Sequence, residues 1–204
     1  MKRLAIGLST FVLLLGAAPA HATIITYSTP LSGLSEATPN DSPGTGQATV
    51  TIDDVLNTML VDVTFSGLLA PTTAAHIHCC TAVPREGTVG VATAVPNFPG
   101  FPTGVTSGSY NQSFDLLAAG TYNPAFVASN GASIASARAA LLAGMADGRS
   151  YLNIHSVLFP GGEIRGFLAA EAAEVPEPGS MALFGLGAAG LALWRRRGAA
   201  VTRR

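Results

Sequence analysis

The segment GQATVTIDDVLNTMLVDVTFSGL constrains the fold of this chain more than any other stretch. Apolar side chains alternate with polar ones in two runs: Ala48, Val50 and Ile52, then Met59, Val61, Val63 and Phe65. Because successive side chains of a strand point to opposite faces, each run has one apolar face. Residues 53–57 interrupt the alternation. The segment therefore predicts a β-hairpin that buries one side.

Similar patterns predict strands at residues 73–80, 88–94, 107–116, 150–158 and 163–169. The block FPGGE links the last two and predicts a second hairpin, with its glycines at positive φ. In ASIASARAALLAGMADG, apolar residues recur at helical spacing, so one short helix is predicted, ending near Gly148. Many strands with one helix indicate an all-β sandwich.

The N-terminal stretch MKRLAIGLSTFVLLLGAAPAHA has the layout of a secretory signal peptide. Lys2 and Arg3 precede an apolar run, and Ala20 and Ala22 form a small-residue cleavage site. The apolar run is shorter than the roughly 20 residues that a membrane-spanning helix needs. We therefore predict that signal peptidase removes residues 1–22.

The C-terminal segment, residues 173–204, has a Pro-Glu-Pro motif, an uncharged apolar run and an arginine cluster. The motif and the cluster consist of Pro176, Glu177, Pro178, Arg195, Arg196 and Arg197. This order resembles the PEP-CTERM sorting signal, which implies a transient stay in the inner membrane and cleavage by an exosortase. The resemblance implies a final location at the cell surface or outside the cell. A simple C-terminal membrane anchor predicts the same topology without cleavage.

Removing both ends changes the charge of the protein. The whole chain has a formal net charge of −1, whereas residues 23–178 keep four arginines and all twelve acids, which gives −8. Such a surface repels nucleic acid. The length suits one domain with a single core, which we place at residues 23–172.

The stretch AAHIHCC contains two of the three histidines of that domain. His76 and His78 are two residues apart on a predicted strand, so both point to one face with Cβ atoms about 6–7 Å apart. His155, on the strand at 150–158, can supply a third nitrogen. Three histidines on two strands suit a Cu or Zn ion. Because HxH alone is a weak motif, the sequence favours the other interpretation, in which all three are structural and held by hydrogen bonds.

Cys79 and Cys80 are the only cysteines of the chain, and they enter an oxidising compartment. Four states are open to them, in order of preference: a vicinal disulfide, pairing with a second molecule, a metal thiolate beside His78, and two free buried thiols, which an oxidising compartment disfavours. Adjacent side chains of an extended strand point apart, so a vicinal disulfide requires the chain to turn at this point.

The pairing of AAHIHCC with the later block YLNIHSVLFPGGEIRGFL resembles the CHRD domain, first named in chordin. The resemblance covers most of residues 23–172 and implies an immunoglobulin-like β-sandwich. It transfers no enzymatic activity, because a shared fold does not carry function.

The sequence does not indicate an enzyme. It has no GxSxG, HExxH, P-loop or GxGxxG motif, and it has too few histidines for a copper-zinc superoxide dismutase. We expect a secreted, non-enzymatic protein of the cell surface or extracellular matrix, with an extracellular polymer or protein as partner. The alternative is an extracytoplasmic Cu- or Zn-binding protein that uses the three histidines.

Overall fold

A computed structural model describes residues 24–171 of the chain. Within that range the strands are β1 (Ile24–Ser32), β2 (Thr45–Asp53), β3 (Thr58–Ser66), β4 (Thr72–Cys79), β5 (Gly108–Asp115), β6 (Ser150–Ser156), β7 (Ile164–Phe167) and β8 (Ala169–Ala170). The helices are α1 (Pro124–Ser129) and α2 (Ile134–Ala146), with 3-10 turns at Gly33–Ser35 and Ala119–Thr121. The strands form one antiparallel sheet in the order β4-β6-β7-β1-β2-β3-β5, and β8 pairs with β1.

The predicted first hairpin is confirmed by β2 and β3, which pair along their full length. Its seven apolar side chains are all buried, with exposed fractions of 4% or less. A carboxylate oxygen of Asp53 accepts hydrogen bonds from the backbone N–H groups of Val55 and Leu56 and closes the connecting turn.

The second hairpin, between β6 and β7, is also confirmed. Of its two glycines, only Gly162 has a positive φ, at +131°. A Cβ atom on Gly162 would lie within 2.7 Å of the side chains of Asn153 and Glu36. Glycine is therefore required here by both backbone angle and space.

The predicted strand at residues 88–94 is wrong, because this segment forms only two isolated bridges, one from Val91 to His78 of β4 and one from Thr93 to Tyr122. The Ala92 N–H donates to the Ile77 carbonyl, as in a sheet. The Ile77 N–H, however, donates to the hydroxyl oxygen of Thr93. A side chain thus replaces the next backbone bond and ends the ladder, while the segment still covers the edge of β4.

The predicted helix is confirmed as α2, and its N-terminus is capped by Ser133. The sequence analysis missed α1, which is too short to show a helical period and begins at Pro124 behind the cap residue Asn123. It also missed β1, where Pro30 obscures the pattern. Mostly strands in an open, curled antiparallel sheet with two short helices confirm the all-β, sandwich-like fold class.

Candidate metal centre

The three histidines predicted as metal ligands lie together on one face of two neighbouring strands. Strand β4 pairs with β6 so that His76 is opposite Asn153 and His155 is opposite Ala74. Directly paired residues of an antiparallel ladder point to the same face. The ring centroids are 6.0 Å apart for His76 and His78, 5.4 Å for His76 and His155, and 5.8 Å for His78 and His155.

Each of the three rings is oriented by one backbone carbonyl. The Nε2 atom of His76 lies 2.8 Å from the Pro96 oxygen, and the Nδ1 atom of His78 lies 2.8 Å from the Val89 oxygen. A carbonyl oxygen only accepts hydrogen bonds, so each of these nitrogens carries the proton and donates it. The segment at 88–97 thereby fixes the tautomers of both histidines of β4.

His155, on β6, is also oriented by a backbone carbonyl. Its Nδ1 atom lies 3.0 Å from the oxygen of Pro160, in the turn between β6 and β7. Hydrogen bonds from the remote ring nitrogen to backbone carbonyls are the usual outer support of metal-binding histidines. All three imidazoles of the group therefore have the support that a metal centre requires.

The second nitrogen of each ring has no partner. His76 Nδ1, His78 Nε2 and His155 Nε2 are all inaccessible to solvent and make no hydrogen bond. The residue His155 is itself only partly buried, but its free nitrogen is covered. Buried polar atoms are rarely left unsatisfied, so these three lone pairs are available to a partner.

Burial also keeps the rings neutral. It lowers the pKa of His76 and of His155, and it lowers the pKa of His78 to about 4, against the carbonyl bond of Val89 that opposes the shift. Neutral imidazoles at physiological pH have lone pairs available for a metal ion.

The geometry fits a metal ion after a small adjustment. One ligand atom from each of His76, His78 and His155 lies within 4.8 Å of the others. Nitrogens bound to one Zn or Cu ion at about 2.0–2.1 Å lie roughly 3.3–3.6 Å apart. The rings must therefore close by about 1–1.5 Å, which is within the range of side-chain rotation.

Next to the histidines, the same face continues with a row of buried polar and aromatic side chains. Tyr151 stacks on His78 with centroids 4.7 Å apart and nearly parallel rings. The Arg165 guanidinium lies over the Tyr151 ring, 4.7 Å from its centroid. Arg165 pairs with Glu36 at 3.7 Å.

Glu36 is a feature of this face that the sequence analysis did not find. Burial raises its pKa to about 7, although the charge of Arg165 opposes the shift. Its Oε1 atom and the Oδ1 atom of Asn153 are both buried without a hydrogen-bond partner. Nothing in the spacing of the sequence connects Glu36 with a strand 117 residues away.

A surface cleft of about 440 Å³ borders the centre. His76 and His155 form part of its wall, and Val91 and Val157 form apolar parts. The cleft brings solvent near the histidines without reaching their free nitrogens, which have no exposed area.

Cys79 and Cys80 are joined to each other in a disulfide, with Cα atoms 3.0 Å apart. Both sulfur atoms lie against Gly144 of α2, where a Cβ atom would be only 2.3 Å from each. Because Cys79 is one residue after His78, its side chain points to the opposite face of β4. The sulfurs therefore lie outside the histidine group.

The remaining predicted sites lie outside the described residues. These are the cleavage residues Ala20 and Ala22 and the sorting residues Pro176, Glu177, Pro178, Arg195, Arg196 and Arg197. The boundaries of the signal peptide, domain and sorting segment likewise stay predictions. Within residues 24–171, no helix is long and apolar enough to cross a membrane.

Fold and site together define an all-β, sandwich-like domain with a group of three histidines. A family description for the CHRD domain matches residues 27–168, and this chain belongs to that family. The PEP-CTERM protein-sorting motif matches residues 174–197. No curated protein and no solved structure matches the chain significantly.

The sorting motif establishes where the protein goes. It is exported, is anchored in the membrane while an exosortase sorts it, and then resides at the cell surface or in the extracellular space.

Proposed function

We propose that the protein is a non-enzymatic component of the cell surface or extracellular matrix whose CHRD domain binds a Zn or Cu ion. The ligands are His76, His78 and His155. Two observations carry this proposal: each of the three rings has one buried nitrogen without a hydrogen-bond partner, and one ligand atom from each ring lies within 4.8 Å of the others. Removal of residues 1–22 by signal peptidase belongs to the same proposal.

The outer support of the rings favours metal binding over a purely structural role. Structural histidines use both nitrogens or expose one to water, because an unsatisfied buried acceptor costs about 1–3 kcal/mol. Here three rings are each held by one carbonyl and each leave one lone pair unused. A metal ion can accept all three lone pairs at a single point.

The absence of catalytic motifs in the sequence supports the non-enzymatic part of the proposal. A bound metal ion would then serve to stabilise the domain or to hold the ion at the surface. The acidic balance of residues 23–178, four arginines against twelve acids, favours approach of cations to the exported domain.

The test is metal titration of the full chain, purified in mild detergent. We expect one Zn or Cu ion per chain, and loss of that ion in a variant with His76→Ala, His78→Ala and His155→Ala. The matched control changes three exposed residues of β5 to Ala, namely Ser109, Asn111 and Ser113. Equal metal content in the triple-histidine variant and the control would contradict the proposal.

A further inference from the structure

Resting on the metal centre proposed above, we propose that the centre selects Cu(I) over Zn(II) and Cu(II). The charge of the ligand set, the charge of its surroundings and the number of ligands each point to a monovalent ion.

The ligand set is neutral. Each imidazole keeps one proton for its carbonyl partner and offers one lone pair, so the three ligands bring no negative charge. Among residues 24–171, no aspartate, glutamate or cysteine joins the group of His76, His78 and His155. A bound Zn(II) or Cu(II) would keep its full double charge in a buried place. Solvation energy grows with the square of the charge, so its desolvation costs about four times that of Cu(I).

The surroundings add positive charge behind His78. The guanidinium of Arg165 lies 4.7 Å from the centroid of Tyr151, and that ring lies 4.7 Å from the centroid of His78. The countercharge of Arg165 is Glu36, at 3.7 Å. Because burial raises the pKa of Glu36 to about 7, this carboxyl compensates only part of the charge at neutral pH. A dication is penalised by this arrangement more than a monocation is.

The number of ligands favours the same ion. Zn(II) in protein sites takes four ligands, and Cu(II) prefers tetragonal sets. Cu(I) is a filled-shell ion of low charge that is satisfied by three nitrogen donors. The group offers three nitrogens, and none of the three has exposed area through which water could complete a larger set.

The proposal is tested by competition for the ion in the full chain, purified in mild detergent. Bicinchoninate competes for Cu(I) under argon with ascorbate, which leaves the Cys79–Cys80 disulfide intact, and chromophoric chelators compete for Zn(II) and Cu(II). We expect Cu(I) to bind at least about 100-fold more tightly than either dication. Tight Zn(II) or Cu(II) with weaker Cu(I) would overturn the selectivity and leave the metal centre standing. Binding of no ion in any state would overturn both.

A charge variant tests the physical reason. Ala74 is paired with His155 and lies in the wall of the cleft, so Ala74→Asp places a carboxylate beside the ligands. We expect the ratio of Cu(I) to Zn(II) affinity to fall at least about tenfold. Ser109→Asp adds the same charge on the exposed surface of β5, at the far edge of the sheet, and should leave the ratio unchanged.

A second variant covers the case in which Ala74→Asp does not fold. Val91→Asp places a carboxylate in the same cleft from the segment outside the sheet. A ratio that stays constant in a folded variant of either kind would overturn the charge argument. A fall in the ratio with Ser109→Asp as well would show a general effect of net charge and would overturn it equally.

Discussion

The two ends of the sheet bury their strands in different ways. In β2 and β3, at one end, buried and exposed residues alternate along each strand, so one face is core and the other meets solvent. In β4, β6 and β7, at the other end, nearly every residue is buried on both faces. We call these the patterned end and the covered end. At the covered end one face is apolar and packs against α2, and the other holds histidine, asparagine and arginine side chains.

The difference shows where function is located in this fold. A polar face that is covered must satisfy its groups internally, because water is excluded. The patterned end leaves its polar side chains in solvent and has no such requirement. The covered end satisfies one nitrogen of each histidine through a backbone carbonyl and leaves the other nitrogen of each ring without a partner. Those three nitrogens are the candidate site.

The largest expected effect is on the free energy of unfolding. It is the difference between truncating a buried residue of the covered end and changing an exposed residue of the patterned end. Tyr151 is 2% exposed on the covered end, and Leu60 is 38% exposed on the patterned end. We expect Tyr151→Ala to lower the free energy of unfolding by about 3–5 kcal/mol, because it removes a ring stacked between His78 and Arg165. Leu60→Thr should change it by no more than about 0.5 kcal/mol. Urea denaturation measures both, and similar losses would remove the distinction between the ends.

The difference in burial also explains why the patterned end was predictable from the sequence and the covered end was not. In the first hairpin, apolar and polar residues alternate because one face is buried and the other meets solvent. The pattern from Ala48 to Phe65 therefore predicted both strands and their buried positions. In β4 the sequence placed His76 and His78 on one face but did not indicate what covers them. The cover comes from residues 88–97, where side-chain hydrogen bonds replace the ladder and strand propensity alone was misleading.

The candidate site also has parts that were predictable from the sequence and parts that were not. The alternation of side chains along a strand predicted that His76, His78 and His155 can lie near one another, because both of their strands had recognisable patterns. The carbonyl partners of the rings and the buried pair of Glu36 and Arg165 depend on loops and on distant segments. Contacts of that kind leave no period in a sequence.

The next effect concerns stabilisation by metal. An ion that binds only the folded protein stabilises it by about 2.7 kcal/mol at a concentration 100 times its Kd. We expect this gain in the wild type and in Val61→Ala, a core variant of the patterned end, because the ligands are intact in both. The variant with His76, His78 and His155 changed to Ala should show no gain. Thermal unfolding with and without the ion gives the measurement, and a gain in the triple variant would place the ion elsewhere.

A smaller effect concerns pH and Glu36. Burial raises the pKa of this carboxyl to about 7 in the folded protein, above the ordinary value of 4.5. The folded state therefore holds the proton more tightly, and this contribution to stability is full below about pH 4.5 and is lost as the pH rises through 7. Glu36→Gln has no proton to lose. We expect the variant to gain about 2 kcal/mol relative to the wild type between pH 4.5 and pH 8.

The difference between the two proteins is the quantity to measure. The histidines with lowered pKa values act in the opposite direction, because their neutral forms stabilise the fold above about pH 6.5 and lose that contribution as the pH falls. Both proteins keep these histidines, so their effect cancels in the difference. Parallel unfolding profiles across the pH range would show that Glu36 is ionised in the fold and fully paired with Arg165.

The smallest effect separates the two faces of the covered end. The Ser133 hydroxyl accepts a hydrogen bond from the Ser136 N–H at 3.1 Å and caps α2, which packs on the face of β4 and β6 opposite to the histidines. Ser133→Ala should lower the free energy of unfolding by about 1 kcal/mol and leave the metal affinity unchanged. Ser113→Ala, exposed on β5, makes the same chemical change away from any helix and should alter neither quantity. A fall in metal affinity with Ser133→Ala would mean that α2 positions the ligands through the sheet, and the two faces would then form one unit.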